Sequence, residues 1–273
     1  MNPAPNEIWY TNGSTTEATY PSMPEAFDAK IISNLYNFEN KCWVITFDNH
    51  LSSIGQSAFS GCTDLTGVKL PDSIKSIEAE AFGWCENLLQ VITGEGIIKI
   101  GDFAFRTCKK LKSVTLGNNL LTIGDYAFYY CRKLTKISIP HSVFYLGRKA
   151  FKYCYELSHI DLGMKLRIIG EEAFSDCRKL TDIIIPYSVG IIESKAFYSC
   201  PISTVQCMPK TPPLGFYDID WDNEPWYLFF NHHPDFKLYV QPDSLEQYKA
   251  SEQWGQYSNN MIIHDFRKKG KIR

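Results

Sequence analysis

The phrase Ala-Phe-x-x-Cys occurs seven times, ending at Cys62, Cys85, Cys108, Cys131, Cys154, Cys177 and Cys200, and every step is 23 residues long. A fixed period of that size leaves few folds open. So short a unit cannot bury its own apolar face, so it is stable only when stacked on copies of itself, as one coil of a solenoid.

The apolar positions between one Cys and the next give the coil its shape. Leu stands third after the Cys (Leu65, Leu88, Leu111, Leu134, Leu157, Leu180), and Val or Ile three further on (Val68, Val91, Val114, Ile137, Ile160, Ile183). Two residues later come Leu70, Thr93, Leu116, Ile139, Leu162 and Ile185. This alternation predicts a short strand with one face buried. Pro or Gly follows at once (Pro71, Gly94, Gly117, Pro140, Gly163, Pro186) and ends it. A second apolar pair, such as Ile74 and Ile77 or Leu120 and Ile123, predicts an arm that returns along the opposite side, usually closed by Gly (Gly101, Gly124, Gly147, Gly170). The Ala-Phe-x-x-Cys segment reads as one tight helical turn at a corner. The chain is therefore expected to be mainly β with short helical turns.

These residues carry a family resemblance. The pattern LxxIxLPxxVxxIGxxAFxxC is similar to the BspA-type leucine-rich repeat over residues 45–207. The flanks resemble the same family, NEIWYT and WVITFD its amino-terminal lead-in, TPP and LYVQPDSLEQYKASEQW its carboxy-terminal cap. The resemblance implies a right-handed leucine-rich repeat solenoid of seven coils capped at both ends. Residues 1–44 would be the N-terminal cap, 45–207 the solenoid and 208–273 a strand-helix-strand cap with a basic tail. It also implies a place on the surface of gut or oral bacteria, or of some parasitic protists, and adhesion to host or bacterial partners.

Both ends of a solenoid need covering, or core and strand edges stay exposed. Residues 8–10 are the best candidate for a covering strand at the start. Near the end, a strand is expected at Lys237–Val240, then a short helix opened by Pro242 and Asp243 with Glu246 completing a capping box, then a strand at Met261–Ile263. The tail RKKGKIR is expected to be disordered.

The cysteine column looks like chemistry and reads better as packing. Stacked coils set the thiols in a line about 4.8 Å apart, and a disulfide wants Cβ atoms nearer ~3.8 Å. A zinc site needs ligands that converge on a point. Cys42 and Cys207 fall at apolar positions outside any Cys-x-x-Cys spacing. No cofactor and no metal are expected. The acidic run at residues 218–224 lacks Gly at Asn223 and Glu at Phe229, so it is no EF-hand loop. His232, His233 and Asp235 offer no third converging ligand and are expected at the surface. Neither a GxSxG, an HExxH, a P-loop nor a dinucleotide fingerprint is present, so no catalytic residue is assigned.

A net charge of −2 and the lack of any apolar run near ~20 residues exclude a membrane helix. The start MNPAPNEIWYT lacks the basic and apolar regions of a signal peptide, whereas the resemblance points to a secreted or cell-surface protein. The sequon at Asn12 is expected to be an ordinary turn.

Binding has more support, and two surfaces offer it. Residues alternating with the core on each main strand would face outward along a concave sheet: Gly67 and Lys69, Gln90 and Ile92, Ser113 and Thr115, Lys136 and Ser138, His159 and Asp161, Asp182 and Ile184. These vary while the core does not. The second surface is charged, because residues 102–155 hold ten bases against Asp102 and Asp125, leaving −10 on the remainder. Lys109, Arg132 and Arg178 share one column, and Lys110, Lys133 and Lys179 the next. Tyr130 and Tyr153, with Trp84, precede their cysteines, and Tyr129 and Tyr155 stand beside them. Basic groups interleaved with rings suit an anionic glycan first and a nucleic acid, which is not the expected partner, second. The candidate binding residues are therefore Lys109, Lys110, Arg132, Lys133, Tyr130, Tyr153, Lys136, His159 and Asp161.

The expected function is a non-enzymatic recognition or adhesion module of a bacterial cell surface, binding a host or bacterial surface protein or an anionic glycan through the solenoid face. The alternative is an intracellular protein-interaction scaffold.

Overall fold

A computed structural model describes residues 2–215 and 236–267. Within it each 23-residue coil makes one main strand and one return strand. The main strands are Gly67–Lys69, Gln90–Ile92, Ser113–Thr115, Lys136–Ser138, His159–Asp161 and Asp182–Ile185, followed by Thr204–Cys207. The return strands, two residues each, run from Ser53–Ile54 to Ile191–Ile192 and pair in parallel as one seven-stranded sheet. Successive coils lie in register, Val68 beside Val91 and Val91 beside Val114, Ile137 beside Ile160. On the return side Ile54, Ile77, Ile100, Ile123, Leu146, Ile169 and Ile192 form one buried row. β-Branched side chains suit these positions because they pack well on a pleated surface.

The deepest layer is a column of rings. Phe59, Phe82, Phe105, Phe128, Phe151, Phe174 and Phe197 stack nearly parallel with centroids 5.1 to 5.5 Å apart. The spacing follows from the strand-to-strand distance of about 4.8 Å.

The corner that carries this column is not the helical turn the sequence suggested. In the coil ending at Cys131, Tyr126 and Tyr130 both take left-handed backbone conformations, at φ 56° and 64°. The amides of Tyr126, Phe128 and Tyr130 donate to the carbonyls of Arg148, Ala150 and Lys152 in the next coil. Those of Tyr129 and Cys131 donate back to Tyr126 and Phe128. A helical turn would spend every amide within its own coil and leave the neighbouring corner unpaired. Linked turns with two left-handed residues share the donors, so the corner stacks like a strand. Gly147 closes a return arm where neighbouring coils approach tightly. A Cβ there would sit 2.5 Å from the Gly124 carbonyl carbon and 2.6 Å from the Asp125 nitrogen.

At the start, strands β1 (Glu7–Thr11), β2 (Ile31–Asn37) and β3 (Cys42–Phe47) form an antiparallel sheet in the order β2-β3-β1, and β1 pairs with Gly67–Lys69. Phe27 lies 5.6 Å from Phe59 and covers the first ring of the column. At the far end Lys237–Val240 adds in parallel to Thr204–Cys207, and Met261–Ile263 adds to that. Between them helix Leu245–Ala250 packs Tyr248 beside Trp254.

The capping box does not form. A 3-10 turn, Pro242–Ser244, precedes the helix and moves its N-cap to Ser244, which makes no side-chain cap. Asp243 instead pairs with Lys210 at 3.7 Å and Glu246 with Lys249 at 3.2 Å. The acidic run 218–224, Phe229, His232, His233, Asp235 and residues 268–273 of the tail lie outside the described residues.

Candidate binding surface

What a stack of coils can present outward depends on what the core has fixed, and the cysteines belong to the core. All nine are buried and free. The Cys131 thiol donates to the Phe105 carbonyl of the preceding coil at 3.2 Å, and Cys85, Cys108, Cys154, Cys177 and Cys200 repeat the bond at 2.9 to 3.3 Å. That carbonyl also accepts the amide of its own Cys108, so both lone pairs are used. Sequence reasoning assigned Cys to packing and missed this donor role, which explains why the position is Cys rather than Ala. The first thiol, Cys62, has no coil before it and contacts the Ser22 hydroxyl at 3.3 Å instead. Burial pushes the thiols of Cys85, Cys108, Cys131, Cys154 and Cys177 well up, and that of Cys207 to about 12.

With Ala, Phe and Cys turned inward, the remaining corner positions face out. Tyr130 and Tyr153 stand in adjacent coils with ring centroids 5.9 Å apart. Around them Tyr126 lies 5.5 Å from Tyr129, Tyr129 5.5 Å from Tyr153, and Tyr153 5.9 Å from Tyr155. The Arg132 guanidinium sits over Tyr130 at 4.1 Å and Tyr155 at 5.6 Å, and donates to the Tyr130 hydroxyl. Arg178 covers Tyr155 at 4.5 Å, Lys152 lies over Tyr153, and Arg148 and Lys149 lie over Tyr126. Burial and the neighbouring hydroxyls raise the pKa of Tyr129, so its hydroxyl stays protonated at neutral pH. The result is a patch of five half-buried tyrosines with half-buried Arg132 and exposed Arg178, held in place by mutual contact.

The basic columns are less exposed to a partner than counting along the chain implied. Lys109 pairs with Glu86 at 2.7 Å, and Glu156 stands between Lys133 and Lys179, ion-paired with the first at 3.9 Å and accepting from the second at 2.5 Å. Arg148 pairs with Glu171, Lys149 and Lys152 with Glu172, and Arg178 with Asp176. Glu86, Glu156, Glu171 and Glu172 fall outside residues 102–155 yet lie one coil away in space, so about half of the local excess is cancelled. The signal was present, since Glu156 occupies the Lys110-Lys133-Lys179 column itself. Of the predicted cations at this corner, Lys110 and Arg132 have no ion pair among the described residues.

Lys136, His159 and Asp161 belong to the other surface, the outward side of the main strands. Lys136 is the strand neighbour of His159, and Ser138 of Asp161. Asp161 accepts from the Ser138 hydroxyl at 3.0 Å and lies 3.2 Å from His159 Nε2. His159 and Asp161, without Lys136, line a groove of about 510 Å³ with Asp182, Ile184, His141 and Met164. Among the described residues no three His, Cys, Asp or Glu side chains are placed to hold a metal ion.

A family model for the BspA type leucine rich repeat region matches this chain in six copies, over residues 29–158 and 99–214. Among solved structures, a leucine-rich repeat protein from Bacteroides ovatus ATCC 8483 is similar, at 23% identity and a TM-score of 0.53, over 71% of this chain and 61% of that one. A leucine-rich repeat protein from Eubacterium ventriosum ATCC 27560 is similar at 25% identity and a TM-score of 0.52, over 55% of this chain and 41% of that one. This chain thus covers under two thirds of the length of either. No curated protein matches.

Proposed function

The chain belongs to the BspA-type leucine-rich repeat family, and from that premise we propose that it is a non-enzymatic recognition or adhesion module of a bacterial cell surface, whose corner patch engages a protein partner. The observation that carries this reading is the cluster of Tyr126, Tyr129, Tyr130, Tyr153 and Tyr155 with Arg132 and Arg178. Tyr and Arg dominate protein interfaces because each presents a large, stiff contact area with a polar end, and here both are already ordered before binding. Arg178 pairs with Asp176, Arg132 is engaged with the Tyr130 and Tyr155 rings, and the lysines around them pair with Glu86, Glu156 and Glu172, which favours a protein surface over a polyanionic glycan. No corner group is poised for turnover, since the thiols are buried donors with raised pKa values and the tyrosines are engaged in ring contacts.

The test is an array of matrix proteins, bacterial surface proteins and glycans probed with the wild type and with Tyr130→Ala/Arg132→Ala/Tyr155→Ala. Saturable binding to a protein feature, weakened about tenfold or more in the variant, is expected. Binding that the triple substitution leaves unchanged would remove the corner as the recognition surface.

A further inference from the structure

The main sheet begins at β2, which pairs with β3 on one side and, among the described residues, with nothing on the other. A free strand edge presents unpaired amides and carbonyls, and natural proteins blunt such edges with charge, proline or brevity. The opposite end of the solenoid is blunted in that way, since its last strand, Met261–Ile263, has three residues. β2 is not. Its seven residues, Ile-Ile-Ser-Asn-Leu-Tyr-Asn, contain no charge and no proline. The irregularity in its pairing falls between Ile31 and Ser33, so five residues remain regular. Three of the most exposed large apolar side chains of the described residues lie on this strand or just after it: Phe38 at 81%, Leu35 at 67% and Ile32 at 61%.

What such an edge accepts is another extended backbone, and its flanks say which one. Lys30 precedes the strand and Glu39 follows it, both exposed, and neither side chain is ion-paired among the described residues. We propose that β2 pairs antiparallel with β2 of a second copy of this chain, joining two main sheets across a two-fold axis. Centred on Leu35, and with Ile32 absorbed by the irregularity between Ile31 and Ser33, that pairing sets Lys30 of each copy opposite Glu39 of the other. A parallel pairing would place Lys on Lys and Glu on Glu. Two-fold pairing closes on itself, whereas joining β2 to the three-residue far edge would grow filaments. The outward faces would then meet as well, bringing Leu35 and its sheet neighbours Val44 and Trp9 to the seam.

Analytical ultracentrifugation of the full chain from low to high micromolar concentration tests this, with amide hydrogen exchange as a second readout. The wild type is expected to double in mass as concentration rises, while the amides of residues 33–37 gain protection. Lys30→Glu should weaken the dimer several-fold, and adding Glu39→Lys should restore it, a recovery that no role within one copy would give. Leu35→Lys, which sets like charges face to face, should raise Kd by about tenfold or more. All these side chains are exposed, so the fold itself is kept, and far-UV circular dichroism checks it. A wild type that stays single, assembly beyond two copies, or failure of the charge-swapped double variant to recover would each overturn the proposal.

Discussion

Phe128 is the middle ring of the core column, and replacing it with Ala tests the stack where it has a neighbour on each side. The ring is fully buried and stands 5.1 Å from Phe105 and 5.1 Å from Phe151. Removing a buried Phe costs about 3–5 kcal/mol through lost transfer energy and the cavity left behind. The upper half of that range is expected, because each coil is held only by its neighbours and both interfaces lose their ring contact. In urea, with a slope near 3 kcal/mol/M for a chain of this size, the midpoint should fall by about 1.3–1.7 M. Leu121 is on the same coil but 40% exposed, and Leu121→Ala should shift it by about 0.2 M or less. Circular dichroism, read alongside fluorescence, follows the transition. A loss below about 1 kcal/mol for Phe128→Ala would refute the stacked-ring account.

Alkali should destabilise the fold through the thiol column. Folded thiols are held protonated while unfolded ones ionise near pH ~8.5, so stability is complete below that pH and falls above it, by about 1.4 kcal/mol per pH unit per thiol, until the raised folded pKa is reached. Six thiols are raised strongly, Cys85, Cys108, Cys131, Cys154, Cys177 and Cys207, so Tm should drop steeply between about pH 9 and 10, and a flat or rising Tm would sink this reading. Cys131→Ala should cost about 1–2 kcal/mol by thermal unfolding, because it removes the donor to Phe105 as well as the sulfur. Gly147→Ala should cost about 1–3 kcal/mol, because the added carbon meets backbone atoms that cannot turn aside; an unchanged Tm would show that the coils are looser than described.

The repeat made the core readable because stacking in register forces each buried position to serve the same purpose in every coil. Leu134, Ile137 and Phe128 are buried where the 23-residue alignment puts them. The corner conformation was not readable, since Tyr126 and Tyr130 give no local hint of a left-handed backbone. Only the need to share amides with the next coil imposes it. Aromatic positions beside Arg132 were visible, but Tyr126 was overlooked because it lies on the far side of the Ala-Phe pair, four residues from Tyr130. The charge reading failed for a geometric reason. A solenoid brings residues 23 apart into contact, so Glu86 and Glu156 neutralise Lys109 and Lys133 from other coils, and a count along the chain misses them. The helix cap failed on a local point, the 3-10 turn at Pro242–Ser244.

Whether the corner recognises by its rings or by net charge decides what kind of partner it takes, and heparin-affinity chromatography of the wild type beside Lys110→Glu/Arg132→Glu/Lys133→Glu measures this most directly. With Lys133 paired to Glu156 and Arg132 held over the rings of Tyr130 and Tyr155, the wild type should elute at or below about 0.15 M salt, and the triple variant within the same range. Retention well above that salt, abolished by the three substitutions, would mean that the columns act as an open anion-binding site and that the patch of tyrosines is secondary.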